Sequence, residues 1–204
     1  MSKYLRTHFS NNNVEHELRR LLENLSKDVK YIKREIEKSN RGAAGSKNQF
    51  GENQLALDIL ADKIIEEKLS DESSFGVKEL ASEEQDQIKE IQPDNGRYSV
   101  TVDPLDGSSL VDVNLSIGSI FGIHDGKILD NKSGRESLIA AMYVTYGPET
   151  TLVYSAGNGV HEFVLDPAGE WVLNKENIKL KETGNIYSPG GLKKDWQPKH
   201  SKFI

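Results

Sequence analysis

The sequence has 204 residues, a net charge of −6 at pH 7 and a hydrophobic content of 36%. This length suits one large domain or two small ones, and the composition is typical of globular rather than disordered proteins. The acidic balance excludes a general nucleic-acid binder, and the absence of cysteine excludes disulfides and thiolate zinc sites. Because no signal segment or membrane-length apolar run is visible, we expect a cytoplasmic protein without nucleic-acid or membrane partners.

Two long helices are predicted near the start of the chain. Residues 1–13 are polar and are expected to form a loose arm, with Asn13 as the N-cap of the first helix. Apolar residues then recur at three- and four-residue steps, as an amphipathic helix requires: Val14, Leu18, Leu21, Leu22, Leu25, Val29, Ile32 and Ile36. The glycine-rich segment 39–51 is predicted to be a loop, and the second helix, over 53–69, carries Asp58 beside its buried stripe.

The periodicity then changes to the two-residue alternation that is typical of β-strands. Strands are predicted within 75–81, 98–102, 113–123, 138–146, 151–154, 160–165 and 171–173. The segment 138–146 is continuously apolar, which favours a strand that is covered on both faces. Helices followed by many strands predict an α+β layered domain rather than a doubly wound parallel sheet.

The segment 103–106 (Asp-Pro-Leu-Asp) follows a predicted strand and predicts a cation site. Pro104 bars the helical conformation at Asp103, so Asp106 returns to the same side as Asp103. The two carboxylates and the Leu105 carbonyl are hard oxygen ligands suited to Mg²⁺ or a similar ion.

The residues that follow, Gly107, Ser108 and Ser109, are suited to binding a phosphate. Gly107 leaves the backbone open, and the two serines supply N–H groups and hydroxyls at the start of a turn or short helix. The alternative is a strand-ending turn with a capping Asp-Gly, but it leaves the coincidence of chelating groups and phosphate donors unexplained.

Two further acids, Glu83 and Glu84, end the predicted strand that precedes this motif. Paired glutamates are often a solvated face or a helix start. A cluster of Glu83, Glu84, Asp103 and Asp106 would repel itself unless cations occupied it, and a two-metal phosphoryl-transfer site has that composition. None of the five histidines has ligand spacing to another, and all are interpreted as structural or surface residues: His8, His16, His124, His161 and His200.

The motif at 103–109, followed by residues 111–123, closely resembles the signature of class I fructose-1,6-bisphosphatases. The Asp-Pro-x-Asp-Gly-Ser/Thr core is shared by the wider lithium-sensitive phosphatase superfamily, which includes inositol monophosphatases. The extended match at 118–123 (Gly-Ser-Ile-Phe-Gly-Ile) is typical of the bisphosphatase branch. Shorter matches at 57–58, 82–84, 146–147 and 186–188 agree with it.

The resemblance implies a layered helix/sheet sandwich of the sugar-phosphatase type, with a metal- and phosphate-binding domain over 14–186. Residues 187–204 would connect it to a C-terminal α/β half that this chain lacks. The implied reaction is the gluconeogenic hydrolysis of the 1-phosphate of fructose 1,6-bisphosphate to fructose 6-phosphate and phosphate. The implied cofactors are two or more Mg²⁺ or Mn²⁺ ions per site, and the implied assembly is a homodimer or homotetramer.

The resemblance also implies roles for individual residues. The metal ligands would be Glu83, Asp103, Asp106, the Leu105 carbonyl and Glu84, the last either as a ligand or as a group that holds the water. The residues that hold the phosphate would be Asp106, Gly107, Ser108 and Ser109. Asp58 and Glu84 resemble the pair that polarises the attacking water. Glu52 stands where the family has an acid in a loop that closes on the metals, although Asp is more common there.

Two departures from the family pattern limit these implications. Family members are longer, and their second half supplies a further metal-binding glutamate and the groups that grip the sugar and its 6-phosphate. In many members a Thr-Gly-Glu-Leu-Thr segment holds the inhibitor AMP, whereas residues 15–19 here read Glu-His-Glu-Leu-Arg. Sedoheptulose-bisphosphate or inositol-phosphate hydrolysis, or a truncated non-catalytic assembly module, remain alternatives.

Overall fold

The computed structural model describes residues 3–42, 50–71, 76–92, 94–130, 133–184 and 193–203. Five α-helices occur in this part of the chain: α1 (Leu5–Asn11), α2 (His16–Gly42), α3 (Phe50–Asp71), α4 (Gly134–Ser137) and α5 (Pro198–Phe203). The strands are β1 (Val77–Ser82), β2 (Lys89–Glu90), β3 (Tyr98–Asp106), β4 (Ile117–Asp125), β5 (Leu138–Tyr146), β6 (Thr150–Ser155), β7 (Val160–Leu165) and β8 (Trp171–Lys175). Two short 3₁₀ helices cover Ser108–Val113 and Lys193–Asp195.

All eight strands form one sheet in the order β2-β1-β3-β4-β5-β6-β7-β8. The β1–β3 pair is parallel, and every other neighbouring pair is antiparallel. The predicted α+β class, with helices layered on a mixed sheet, is therefore confirmed. None of the described helices combines the length and the apolar content needed to cross a lipid bilayer.

One face of the sheet is buried under the helices. Residues that are partners on neighbouring strands point to the same face of the sheet. One row of such partners crosses five strands and is buried throughout: Val102, Phe121, Met142, Tyr154 and His161. The periodic apolar residues of α2 pack over this face, and the indole N–H of Trp171 on β8 donates to the Ser26 carbonyl of α2 at 2.8 Å. The two long helices predicted from periodicity are confirmed.

The opposite face of the sheet is more exposed. On this face Asp103 pairs with Ile120 and Ile120 pairs with Tyr143, and the side chains of Ile120 and Tyr143 are each 47% exposed. The prediction that 138–146 is covered on both faces is therefore wrong for this chain, because α1, α2 and α3 all pack on the other side of the sheet. The remaining predicted strands are confirmed with shifted ends, and β4 begins only after the 3₁₀ helix Ser108–Val113.

The N-terminal segment is not the loose arm that its polar composition predicts. Residues Leu5 and Phe9, one helical turn apart, are buried in the core, and Phe9 contacts the ring of Tyr154 at a centroid distance of 4.7 Å. The Lys3 carbonyl also accepts a hydrogen bond from the Leu173 N–H at 2.8 Å, beside β8. These few apolar residues suffice to dock a short helix because the sheet supplies the opposite surface.

The beginning of α2 also differs from expectation. Asn13 has a positive φ of 54° and does not cap the helix. The Glu15 carboxylate instead accepts hydrogen bonds from the N–H groups of Glu17 at 3.2 Å and Leu18 at 3.1 Å. The loop predicted over 39–51 lies largely outside the described residues, since α2 continues to Gly42 and α3 begins at Phe50.

Candidate active site

The parallel pairing of β1 with β3 brings acids from two segments to one edge of the sheet. Ser82 pairs with Val102, and the next N–H, that of Glu83, donates to the Val102 carbonyl at 3.0 Å. Glu83 therefore lies beside Asp103, the next residue of β3. The nearby Glu83 carboxylate is one of the causes that raise the pKa of Asp103.

The chain leaves regular pairing between Asp103 and Asp106, where the register of β3 against β4 shifts. Ser119 of β4 holds this irregular segment, because its hydroxyl donates to the Pro104 carbonyl at 2.7 Å. The Asp103 Oδ1 atom accepts the Leu105 N–H at 3.1 Å. The bend expected at Pro104 is thus held by two hydrogen bonds, one from Ser119 and one to Asp103. It separates the two aspartates by an irregular stretch of backbone.

Gly107 turns the chain from β3 into the 3₁₀ helix. Its φ of 78° lies in the left-handed region, which glycine adopts without strain. Its carbonyl accepts the Leu110 N–H at 2.8 Å and closes the first turn. The Ser108 side chain hydrogen-bonds to Asp58, and Ser109 is exposed. The turn thereby links the predicted phosphate segment to α3.

Helix α3 contributes a second carboxylate that the sequence analysis missed. Asp62 lies one turn after Asp58, is 8% exposed, and accepts a hydrogen bond from Gln85 at 2.8 Å through Oδ2. The Gln85 amide also donates to Glu66 at 2.9 Å, which ties the turn after Glu84 to the helix. The four-residue spacing of Asp58 and Asp62 places both on one face of the helix, and this spacing could have identified Asp62 from the sequence.

The electrostatics of the cluster show crowded negative charge. Burial raises the pKa of Asp103 to about 6, and the neighbouring Glu83 and Asp106 carboxylates add to the rise. Burial also raises the pKa of Asp58, opposed by the Ser108 hydrogen bond and assisted by Glu83. The pKa of Glu84 is raised by burial and then by the charges of Asp58, Glu83 and Asp62. In each case burial is the largest cause, and repulsion by neighbouring carboxylates is a further one.

The carboxylate cluster has features that suit a bound cation. Asp58 Oδ1 and Asp62 Oδ1 are buried without a hydrogen-bond partner, and a cleft of about 340 Å³ is lined by Glu83, Asp103 and Thr101 among others. Unsatisfied carboxylate oxygens and mutual repulsion are both relieved by a hard divalent ion. Within the described residues, however, no three of these acids bring one oxygen each to within 4.8 Å of one another. The residues fit Mg²⁺ or Mn²⁺ in type and place, and their oxygens are spaced more widely here than three ligands of one ion would be.

The structure thus brings together most of the predicted site: Asp58, Glu83, Glu84, Asp103, Asp106 and Ser108. Leu105 is buried between the two aspartates of β3, and Gly107 and Ser109 adjoin Ser108. The Glu52 side chain lies outside the described residues, although its backbone is part of α3.

Comparison with known proteins identifies the family. The family model described as "Fructose-1-6-bisphosphatase, N-terminal domain" matches residues 3–176. The chain belongs to the fructose-1,6-bisphosphatase family. It is 46% identical over 201 residues to the class 1 fructose-1,6-bisphosphatase of Geobacter sulfurreducens, and 45% identical over 166 residues to that of Methanocorpusculum labreanum. The matches cover 98% and 81% of this chain but only 63% and 50% of those relatives.

Solved structures of the family agree. A crystal structure of Leishmania major fructose-1,6-bisphosphatase in holo form aligns with a TM-score of 0.82 and 28% identity. It covers 100% of this chain and 65% of the Leishmania chain. A T-state structure of the same protein aligns with a TM-score of 0.79. The layered fold is therefore that of the bisphosphatase family, and this chain spans about two thirds of the length of those proteins.

Proposed function

We propose that this chain forms the metal- and phosphate-binding part of a magnesium-dependent fructose-1,6-bisphosphatase. The reaction is hydrolysis of the 1-phosphate of fructose 1,6-bisphosphate to fructose 6-phosphate and phosphate, a gluconeogenic step. The longer protein is proposed to act as a homodimer or homotetramer. The substrate is that named for its relatives, and the site described above supplies the chemistry.

One observation carries the proposal. Acids from α3, from the turn after β1 and from β3 meet beside a glycine turn and two serines, and burial and mutual repulsion raise the pKa of Asp58, Glu84 and Asp103. A purely structural surface cluster would not retain buried carboxylate oxygens without partners, as Asp58 does. The arrangement matches what metal-assisted phosphate hydrolysis needs.

The residues divide into three roles. Glu83, Asp103, Asp106 and the Leu105 carbonyl would hold the cations, which when bound neutralise phosphate oxygens and lower the pKa of a water. Asp106 and the segment 107–109 would position the phosphate through backbone N–H groups and hydroxyls.

Asp58 and Glu84 would accept the proton of the attacking water. Because burial raises the pKa of both, each is a stronger base when ionised than an exposed carboxylate. The hydrogen bond from Ser108 orients Asp58 toward the phosphate segment. Attack by water in line with the leaving oxygen requires no phospho-enzyme.

Calorimetric titration with Mn²⁺ tests the metal assignment. We expect Asp106→Asn to lose most of the heat signal, because it removes one of the carboxylates that hold the cations. The matched control is Asp130→Asn, an exposed aspartate outside the site, which should bind Mn²⁺ as the parent does. Unchanged Mn²⁺ binding in Asp106→Asn would contradict the assignment.

A further inference from the structure

A second group of possible metal ligands lies on the helix-covered side of the sheet. His8 of α1, His161 of β7 and Glu176 after β8 each bring one ligand atom to within 4.8 Å of the others. It is the one such group of three or more that the described residues contain. Both histidines are 1% exposed, and Glu176 is exposed at the rim. None of the three belongs to the carboxylate site.

The contacts of His8 are those of an oriented metal ligand. Its Nε2 lies 2.9 Å from Glu176 Oε1, and its Nδ1 lies 2.6 Å from the Tyr154 hydroxyl. The Asn12 amide nitrogen lies 3.2 Å from the same Nε2. Histidine ligands in proteins characteristically use their second ring nitrogen for a hydrogen bond that sets the tautomer, and Tyr154 is placed to make it.

His161 is oriented in the same manner. Its Nδ1 accepts the Asn177 N–H at 3.3 Å, so its Nε2 carries the proton and donates to the Asn158 carbonyl at 3.2 Å. Burial lowers the pKa of this ring, with the His8 ring as a further cause. Because its Nδ1 accepts a hydrogen bond and carries no proton, the ring is in the neutral form in which imidazole binds metals. The His8 and His161 ring centroids are 4.5 Å apart.

We propose that His8, His161 and Glu176 bind one Zn²⁺ ion or a related transition-metal ion, with Tyr154 as a positioning residue. His8 ligates through Nε2 while its Nδ1–H donates to the Tyr154 oxygen. His161 ligates through Nδ1, which gives up the Asn177 N–H, while its Nε2–H keeps the Asn158 carbonyl. The proton that the neutral His8 ring holds toward Glu176 in the empty site moves to Nδ1 on binding, so the ring keeps one proton and none is released.

The ligand types determine which metal is expected. Two imidazoles and one carboxylate form a set typical of Zn²⁺, whereas Mg²⁺ prefers oxygen ligands only. The two sites of this chain therefore select different ions. Since the ligands come from α1, β7 and the segment after β8, the metal would fasten the N-terminal helix, seven residues long, to the sheet.

Zinc titration in excess Mg²⁺ tests the proposal, because the excess Mg²⁺ competes with Zn²⁺ for the carboxylate site proposed above. With the chelator-treated chain we expect one Zn²⁺ per chain and a rise in Tm that grows with zinc concentration. Substituting Co²⁺ should give the strong visible absorption of a four-coordinate site with nitrogen ligands.

Two variants test the roles of a proposed ligand and of the positioning residue in Zn²⁺ binding. Glu176→Gln, at an exposed position that leaves the core intact, should weaken Zn²⁺ binding at least about tenfold. Tyr154→Phe should weaken it by roughly 10- to 100-fold while the Co²⁺ spectrum of the bound form keeps its shape. Glu182→Gln, an exposed control, should bind Zn²⁺ as the parent does.

The variant Asp103→Asn distinguishes Zn²⁺ binding at the histidine site from Zn²⁺ binding at the carboxylate site. If zinc binding persists in Asp103→Asn and falls in Glu176→Gln, the histidine site is supported. If zinc binding is lost in Asp103→Asn and unchanged in Glu176→Gln, or if no Zn²⁺ binds in excess Mg²⁺, the proposal is wrong.

Discussion

At the scale of single residues, the position of the acids that we propose for catalysis depends on side chains that have no proposed role in the chemistry. Ser119 is fully buried, donates to the Pro104 carbonyl at 2.7 Å and lies 2.9 Å from the Tyr146 hydroxyl. This one hydroxyl holds the bend that separates Asp103 from Asp106. The two-residue alternation of β4 gives no sign of this role.

We expect Ser119→Ala to lower the free energy of unfolding by about 1–3 kcal/mol, because two buried polar groups lose their partner. Mn²⁺ affinity should fall as well, since the Pro104 bend is no longer held. Urea denaturation and calorimetry measure the two effects. Ser116→Ala, at an exposed position just before β4, is the matched control. Equal stability of both variants would show that Pro104 needs no support.

At the scale of elements, the start of α2 shows how one carboxylate replaces an external anion. Glu15 accepts two backbone N–H groups of the first turn and the Tyr98 hydroxyl, and Arg97 lies 3.9 Å away. The Tyr98 hydrogen bond is the largest cause of the lowered pKa of Glu15, followed by an opposing burial effect and the backbone bonds. The helix N-terminus, where an anion is favoured, is thus already occupied by the chain itself.

The lowered pKa sets the direction of a pH effect. Because the folded pKa of Glu15 lies below the unfolded value of 4.5, the ionised carboxylate stabilises the fold above that value. The contribution is lost as the pH falls through the folded pKa. We expect Glu15→Ala to cost about 1 kcal/mol at pH 7, the usual value of a helix cap, and less in acid.

Urea denaturation at several pH values checks this expectation. Glu67→Ala, an exposed position on α3, is the control and should show little change. A deficit in Glu15→Ala that stays constant down to acidic pH would show that the carboxylate charge does not matter.

The same geometry predicts weak AMP sensitivity. In the family pattern, Thr and Gly residues stand at the beginning of this helix. In this chain Glu15 places a negative charge where the phosphate of AMP would bind. Like charges at this short range repel. We expect micromolar AMP neither to bind this chain in calorimetry nor to inhibit a longer enzyme that contains it. Saturable micromolar binding that competes with the Glu15 cap would contradict the prediction.

At the scale of the whole molecule, one face of the sheet is open in the part of the chain that the structure describes. Ile120, Leu138 and Tyr143 are exposed by 47%, 44% and 47%, and the first and last are cross-strand partners next to Asp103. The relatives are longer than this chain, and we expect part of their additional length to cover this face. A contiguous apolar surface left open favours self-association.

Sedimentation at increasing concentration tests that expectation. Tyr143→Lys should reduce association, whereas Leu180→Lys, at a residue that is 96% exposed elsewhere, should not. Association that is equal in both variants would locate the contact outside the open face.

We also expect the 204 residues alone to hydrolyse fructose 1,6-bisphosphate very poorly. Holding a substrate in line with its nucleophile contributes roughly 7–11 kcal/mol in favourable cases, and we expect the groups that grip the 6-phosphate to lie in the additional length of the relatives. A phosphate-release assay at saturating Mg²⁺, beside the Geobacter sulfurreducens enzyme and with inositol phosphate and sedoheptulose bisphosphate as comparison substrates, measures this. Turnover within about tenfold of that enzyme would show that positioning by the relatives' additional length is dispensable.

The sequence by itself determined the features that depend on neighbours along the chain. Helical and alternating periodicities located α2, α3 and most strands, because burial of one face imposes those periods. The segment 103–109 identified the acid and phosphate elements, since a proline bend, two acids and a glycine turn act locally. These signals also carried the family resemblance.

Tertiary structure decided the contacts between segments far apart in the chain. Docking of α1, the support of Pro104 by Ser119 and the meeting of His8 with His161 all depend on sheet register and helix placement. A one-residue change of register would turn each strand side chain to the other face, so no local pattern encodes these pairs. The open face of β5 was likewise invisible, because an apolar run has the same composition whether or not a partner covers it.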